Sequence, residues 1–142
     1  MIEHAVEVTI DRPPAEVFAF VTDAVNHPRW DTSSVSMTPD QPGAWTAGTT
    51  FHEVRKMGPR QMEIRSKVAA LVPGESMDIE SVTGPEFHGH WRLIPDGERT
   101  ILRWSCEMAV NGAGRLFQPF IARSFRRACD ENFARLKELL ET

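Results

Sequence analysis

The segment Thr49 to Arg55 carries the side chains with the widest chemical reach in this 142-residue chain. His52, Glu53 and Arg55 offer an imidazole that titrates near neutral pH, a carboxylate and a permanent positive charge. Successive side chains of a strand face opposite ways, so all three cannot reach one site. If Val54 marks the buried parity, His52 projects inward and can move protons. If Phe51 marks it, Glu53 and Arg55 point inward as an acid–base pair or an ion pair. The sequence leaves both parities open, and these three residues are the catalytic candidates.

Other reactive groups support less. His88 and His90 form an H-x-H pair, a spacing able to hold a metal. They share their face with Glu86 and Arg92, opposite Phe87 and Trp91, so they read as wet, and Arg92 repels a cation. No metal or cofactor is expected. Cys106 and Cys129 fall at apolar-face positions with neither metal spacing nor a disulfide framework, and read as buried thiols in a reducing cytoplasm. Glycine-rich phosphate loops and G-x-S-x-G are absent, and tyrosine is missing altogether. Trp30 and Asp31, following a helix break at Asn26-His27-Pro28, are placed near the mouth of whatever space the fold encloses.

The elements that must position these groups follow from periodicity. Ile2, Val6, Val8 and Ile10 alternate with Glu3, Glu7 and Thr9, a strand with one buried face. Pro13-Pro14 ends it and suits the first turn of a helix. A short helix then runs over Val17 to Val25. Strands are predicted around Val35–Met37, Thr49–Lys56, Met62–Val72, Met77–Glu80, Phe87–Leu93 and Leu102–Val110, separated by Pro- and Gly-containing turns. No helix-length segment lies between them, so the sheet is antiparallel. Gly89, mid-strand, marks a bend or room for a close neighbour. An irregular start at Arg115–Phe117 leads into an amphipathic helix from about Gln118 to Leu140. A lone helix must lay its apolar stripe across the sheet. The result is an α+β single domain over 1–142: a curved antiparallel sheet of about seven strands around a long C-terminal helix, with two short helices after the first strand.

Such a sheet and helix enclose a space. Its predicted wall is Trp30, Met62, Ile64, Met77, Ile79, Phe87, Trp91, Trp104, Met108, Phe117, Phe120, Ile121 and Phe125. The Pro39–Gly48 loop and the Met57–Arg60 and Pro73–Gly74 turns are candidate gates. Net charge is −4, which gives no electrostatic argument for nucleic acid or an anionic membrane. The Arg123–Arg127 cluster reads as a solvated helix face. No apolar run approaches a membrane span, and no basic region followed by an apolar core opens the chain, so a cytoplasmic location is expected. The sequence leaves the oligomeric state open.

The element order, with Ile10-Asp-Arg-Pro-Pro-Ala-Glu-Val-Phe18, Trp30-Asp31, Gly48-Thr-Thr-Phe51, Pro95-Asp-Gly97 with Thr100 and Leu136-Lys-Glu-Leu139, resembles the START-like, SRPBCC or helix-grip superfamily over essentially the whole chain. The match looks best to its polyketide cyclase/dehydrase and lipid-transport branch. That resemblance implies a cavity binding a hydrophobic small molecule such as a lipid, quinone or aromatic polyketide. It also admits a cyclase/dehydratase-type enzyme, or a protein-interaction module of the co-chaperone or toxin kind. The branch has no universal catalytic motif to carry over, so function rests on the site.

Overall fold

Alternation of period two builds the sheet, and its register follows the buried faces. β1 (Ile2–Ile10) buries Ile2 and Ile10 while Glu3 and Glu7 stay exposed. Six strands follow: β2 (Ser34–Pro39), β3 (Thr50–Met57), β4 (Arg60–Val72), β5 (Ser76–Ser81), β6 (Phe87–Asp96) and β7 (Arg99–Met108). The computed structural model describes residues 1–142, with nothing described of the Ala113 side chain. The strands form one antiparallel sheet in the order β1-β7-β6-β5-β4-β3-β2. Each strand from β2 to β7 thus pairs with its chain neighbour, and β1 closes on β7 from Ile2↔Met108 to Ile10↔Thr100. Register shifts at Ser34/Ser36 and Val68/Ala70 add the local twist that curls a sheet. At the Pro95-Asp-Gly turn, Gly97 takes φ +63°, which costs a side-chain-bearing residue strain.

Pro14 opens α1 (Pro14–Val21), where a missing N–H loses nothing. Asp23 then caps a 3₁₀ turn over Ala24–Asn26, its side chain accepting from the Val25 amide at 3.2 Å. α2 (His27–Trp30) is a single turn with Pro28 inside it. A 3₁₀ turn over Gly112–Phe117 leads into α3 (Gln118–Glu141), 24 residues long. This is the helix-grip arrangement expected above. α3 is tied along β1: His4 meets Asp130 at 2.7 Å, Lys137 Nζ donates to the Thr9 carbonyl at 2.6 Å, and the Asp11 amide donates to Glu141 at 2.8 Å. Cys106 and Cys129 are buried free thiols whose pKa values burial pushes up, to about 11 and about 12.

Phe133 of α3 is the hub of the core. Its ring centroid lies 5.5 Å from Trp30, 5.4 Å from Trp91 and 5.0 Å from Trp104, and Trp30 meets Trp91 edge-on at 5.6 Å. These rings pack together between sheet and helix. Gly89 serves them: a Cβ there would stand 3.1 Å from the Phe87 ring and 3.6 Å from Trp104 Nε1. The glycine therefore makes room for close neighbours, one of its two expected roles.

Two expectations are corrected here. Phe117 and Phe120 do not face the sheet; they are 59% and 74% exposed. The buried stripe of α3 runs through Ala122, Cys129, Asn132, Phe133 and Leu136. Counting back from half-buried Phe125 by helical steps reaches Ile121 and Gln118, which leaves Phe120 on another side. The Pro39–Gly48 loop is pinned rather than built as a gate. Trp45 is buried against Phe51 at 4.5 Å, the Gly48 amide donates to the Val68 carbonyl, and Thr50 Oγ1 donates to Asp40.

Candidate functional site

Phe51 settles the parity of β3. It is wholly buried, so Glu53 and Arg55 follow it onto the inner face. His52 is thereby turned outward, where it lies 3.6 Å from Glu63 and is partly exposed. An inward His52 is therefore corrected. The phenyl ring outweighs the smaller Val54, since burying the larger apolar surface gains more.

The inward pair meets α2. Arg55 Nη1 donates to Asp31 Oδ2 at 2.9 Å and to Glu53 Oε2 at 3.0 Å, and Arg55 Nη2 reaches Asp31 Oδ1 at 3.3 Å. His27 Nε2 stands 3.0 Å from Glu53 Oε2 and 3.5 Å from Asp31 Oδ2. Two carboxylates thus face one guanidinium and one imidazole. Asp31 and Glu53 are buried, while Arg55 and His27 are only partly covered, so the cluster reaches solvent through its guanidinium and imidazole.

Electrostatics follow from that packing. Burial drives the Asp31 carboxyl up, but the charges of Arg55 and His27 outweigh it, and the pKa is held below the usual 3.8. Glu53 is likewise pushed up by burial. Its hydrogen bond with His27 and the nearby Arg55 charge hold it below the usual 4.5. Arg55 is raised further by both carboxylates against its own burial. Ser34 Oγ stands near enough to Glu53 to favour its charge, yet makes no well-formed hydrogen bond, and Trp30 Nε1 is buried without a partner among the described residues. Asn132 of α3 donates to Asp31 Oδ1 at 3.2 Å, and Arg135 donates to the Trp30 carbonyl at 3.1 Å. α2, β3 and α3 meet at this cluster.

His27, Asp31 and Glu53 offer one ligand atom each within 4.8 Å of one another. Arg55 already bridges both carboxylates, and a guanidinium does not deprotonate in proteins. A divalent ion there would stand against a fixed positive charge, so the donor set fits an ion-pair network rather than a metal centre.

Sequence reading named Asp31, Glu53 and Arg55 but missed His27, Asn132 and Arg135. Two signals were available. His27 precedes Asp31 by four residues, one helical turn. Asn132 interrupts an apolar stripe between Cys129 and Leu136, and a polar residue at a core position needs a partner.

The wall residues divide into three groups. Trp30, Met77, Trp91 and Trp104 are buried, three of them in the Phe133 cluster. Ile79, Phe87 and Phe125 are half-buried and pack on that core. Met62, Ile64, Met108 and Ile121 are also only half-buried. Met62 pairs with Arg55 and Ile64 with Glu53 across the β3–β4 ladder, so these apolar side chains adjoin the charged cluster. Two clefts lie elsewhere. One of about 480 Å³ runs beside Glu3, His4, Cys106 and Arg126; another of about 630 Å³ is lined by outward residues including Glu7, Asp78, His90 and Arg103. His88 and His90 do lie on this outer side, bonded to Glu86 and to Asp78 and Glu107.

Comparison with known proteins bears on this architecture. Solved structures with the same fold include TTHA0849 from Thermus thermophilus, with a TM-score of 0.82 and 16% identity over 96% of this chain and 94% of that one. The Zhui aromatase/cyclase from a Streptomyces species has a TM-score of 0.79 and 15% identity over 98% and 93%. DR_A0006 from Deinococcus radiodurans has a TM-score of 0.73 and 15% identity over 98% and 97%. No curated protein matches the chain. The model of one family, polyketide cyclase / dehydrase and lipid transport, matches residues 1–141, and the chain belongs to that family.

Proposed function

We propose that this chain binds a hydrophobic small molecule, of lipid, quinone or aromatic polyketide-like character, between the sheet and α3, against the wall that carries Met62 and Ile64. One observation carries the reading. Met62 and Ile64 face inward, stay half-buried, and sit directly across from Arg55 and Glu53. Apolar wall beside a few convergent polar groups is the composition of a small-molecule site. Apolar ligand surface covered there gains about 25 cal/mol per Å² before ordering costs. The partly covered edges of Arg55 and His27 are placed to receive a carbonyl or hydroxyl oxygen. The family description and the aromatase/cyclase name of one structural neighbour are consistent with such a ligand.

The test is native mass spectrometry of freshly purified protein, followed by a thermal-shift screen of lipids, quinones and aromatic polyketides. A copurified lipophile, or a concentration-dependent rise in Tm lost in I64D, supports the proposal. Neither appearing across the screen would sink it.

A cyclase/dehydratase reading has one favouring observation, the His27–Glu53–Arg55 contact. Cyclisation of a poly-β-keto chain needs a proton acceptor and a charge to receive the enolate oxygen. Glu53, held below its usual range, is a poor base, so His27 is the proton carrier and Arg55 the oxyanion partner. Turnover that falls in H27Q and R55K but survives in H52A supports this reading; turnover unchanged in all three removes it.

A further inference from the structure

The two phenylalanines that turn away from the sheet open a separate question, independent of what the cavity holds. Leu116, Phe117 and Phe120 are 82%, 59% and 74% exposed on the 3₁₀ turn and first turn of α3. Spacings of three and four residues place Phe120 beside both others. Bulky apolar groups gathered in water mark a contact surface rather than chance exposure.

Charge identifies the partner. Residues 112–129 contain four arginines and no acidic residue, in a chain whose net charge is −4. Arg123 follows Phe120 by three positions and is exposed, as is Arg115 beside Leu116. Neither has a carboxylate partner among the described residues. Arg126 donates to the Glu3 carbonyl and Arg127 to Glu131, so those two are partly engaged. A second copy of the chain would bring the same arginines against these, with like charges opposed. An anionic lipid surface supplies the complementary charge and an apolar layer for the rings to enter.

We infer that the Gly112–Arg123 segment docks this protein on anionic membranes, with Leu116, Phe117 and Phe120 entering the interface and Arg115 and Arg123 meeting headgroups. Docking of this kind lies flat on the bilayer, and among the described residues no helix is long and apolar enough to cross one.

Cosedimentation tests it, using vesicles of phosphatidylcholine alone or mixed equally with phosphatidylglycerol. Wild-type protein should sediment with the mixed vesicles at low salt and be released at high salt. R115Q/R123Q should bind roughly 25-fold more weakly, about fivefold per arginine near an anionic surface. L116S/F117S/F120S should lose binding with its thermal midpoint little changed, because these side chains are mostly exposed. F120W adds a reporter: the native tryptophans are all buried, so the indole introduced by F120W should lose acrylamide quenching when mixed vesicles are added. Failure of the wild type to bind mixed vesicles at low salt overturns the inference. Undiminished binding by the triple serine variant, or the patch pairing two copies in solution without vesicle binding, overturns it equally.

Discussion

Arg55 holds together a group of charges that burial alone would expel. Asp31 and Glu53 are 8% and 6% exposed, and both stay ionised because the guanidinium bonds both. R55M leaves two buried carboxylates without their guanidinium, with His27 and the Asn132 amide beside them. Removing one partner of such a network costs about 3–5 kcal/mol, far more than the intact network contributes. Urea unfolding should show that loss at neutral pH. The pH dependence gives a sharper reading. Both carboxyls are depressed in the folded state, so they contribute stability above their ordinary values of 3.8 and 4.5. That contribution fades as pH falls below these values through the folded pKa values. The gap between wild type and R55M should therefore be widest near neutrality and shrink on acidification. A gap constant with pH would mean that Arg55 acts through packing alone. Trp30 gives the opposite sign. Its Nε1–H has no partner among the described residues, so W30F keeps a ring and deletes an unsatisfied donor. We expect less than about 1 kcal/mol of change in W30F, against about 3–5 kcal/mol lost in W30A. A large loss in W30F would reveal a bound water or ligand oxygen on that nitrogen.

At the scale of elements, α2 is a single turn whose place is set by what its side chains reach. Asn132 binds Asp31 from α3, and Arg135 binds the Trp30 carbonyl. N132L should cost about 1–3 kcal/mol, since it removes one donor from a buried, charged carboxylate that keeps Arg55 and the Ser33 amide. Hydrogen exchange should show the loss as faster exchange over residues 27–34, with β6 and β7 unchanged. Element boundaries were highly legible. Alternation such as Leu102, Trp104, Cys106 and Met108 against Arg103, Ser105 and Glu107 admits one face inward, and Pro13-Pro14 and Pro95-Asp-Gly97 fix turns by backbone chemistry alone. The site was less so. In Phe51-His-Glu-Val-Arg55 both parities carry an apolar residue and a charge, so the choice depends on the partners that β4 and α2 bring. His27 and Asn132 are distant in sequence, and only the crossing of α2, β3 and α3 brings them together. Phe117 and Phe120 fitted an apolar count but not the helical phase, which the Gly112–Phe117 turn resets.

Over the whole molecule, the grip is asymmetric. Trp30, Trp91, Trp104 and Phe133 pack as one ring cluster, while Met62 and Ile64 are only half-buried across the β3–β4 ladder from Arg55 and Glu53. Stability and binding should therefore respond to different substitutions. F133A removes the hub of four rings and should cost about 3–5 kcal/mol, because so many neighbours cannot all close on the gap. I64W adds bulk where the wall is only partly covered. A well-packed core loses about 1–3 kcal/mol to added methylenes, but Ile64 is only half-buried, so on the proposed reading the apo protein should keep its midpoint or gain slightly by covering apolar surface. The same indole would occupy the space assigned to the ligand. Lipophile-induced stabilisation should vanish in I64W while persisting, from a lower baseline, in F133A. Tm measured with and without ligand on the three proteins separates the cases. If I64W instead unfolds as readily as F133A, the region beneath Met62 and Ile64 is packed core, and no hollow exists there for a ligand to fill.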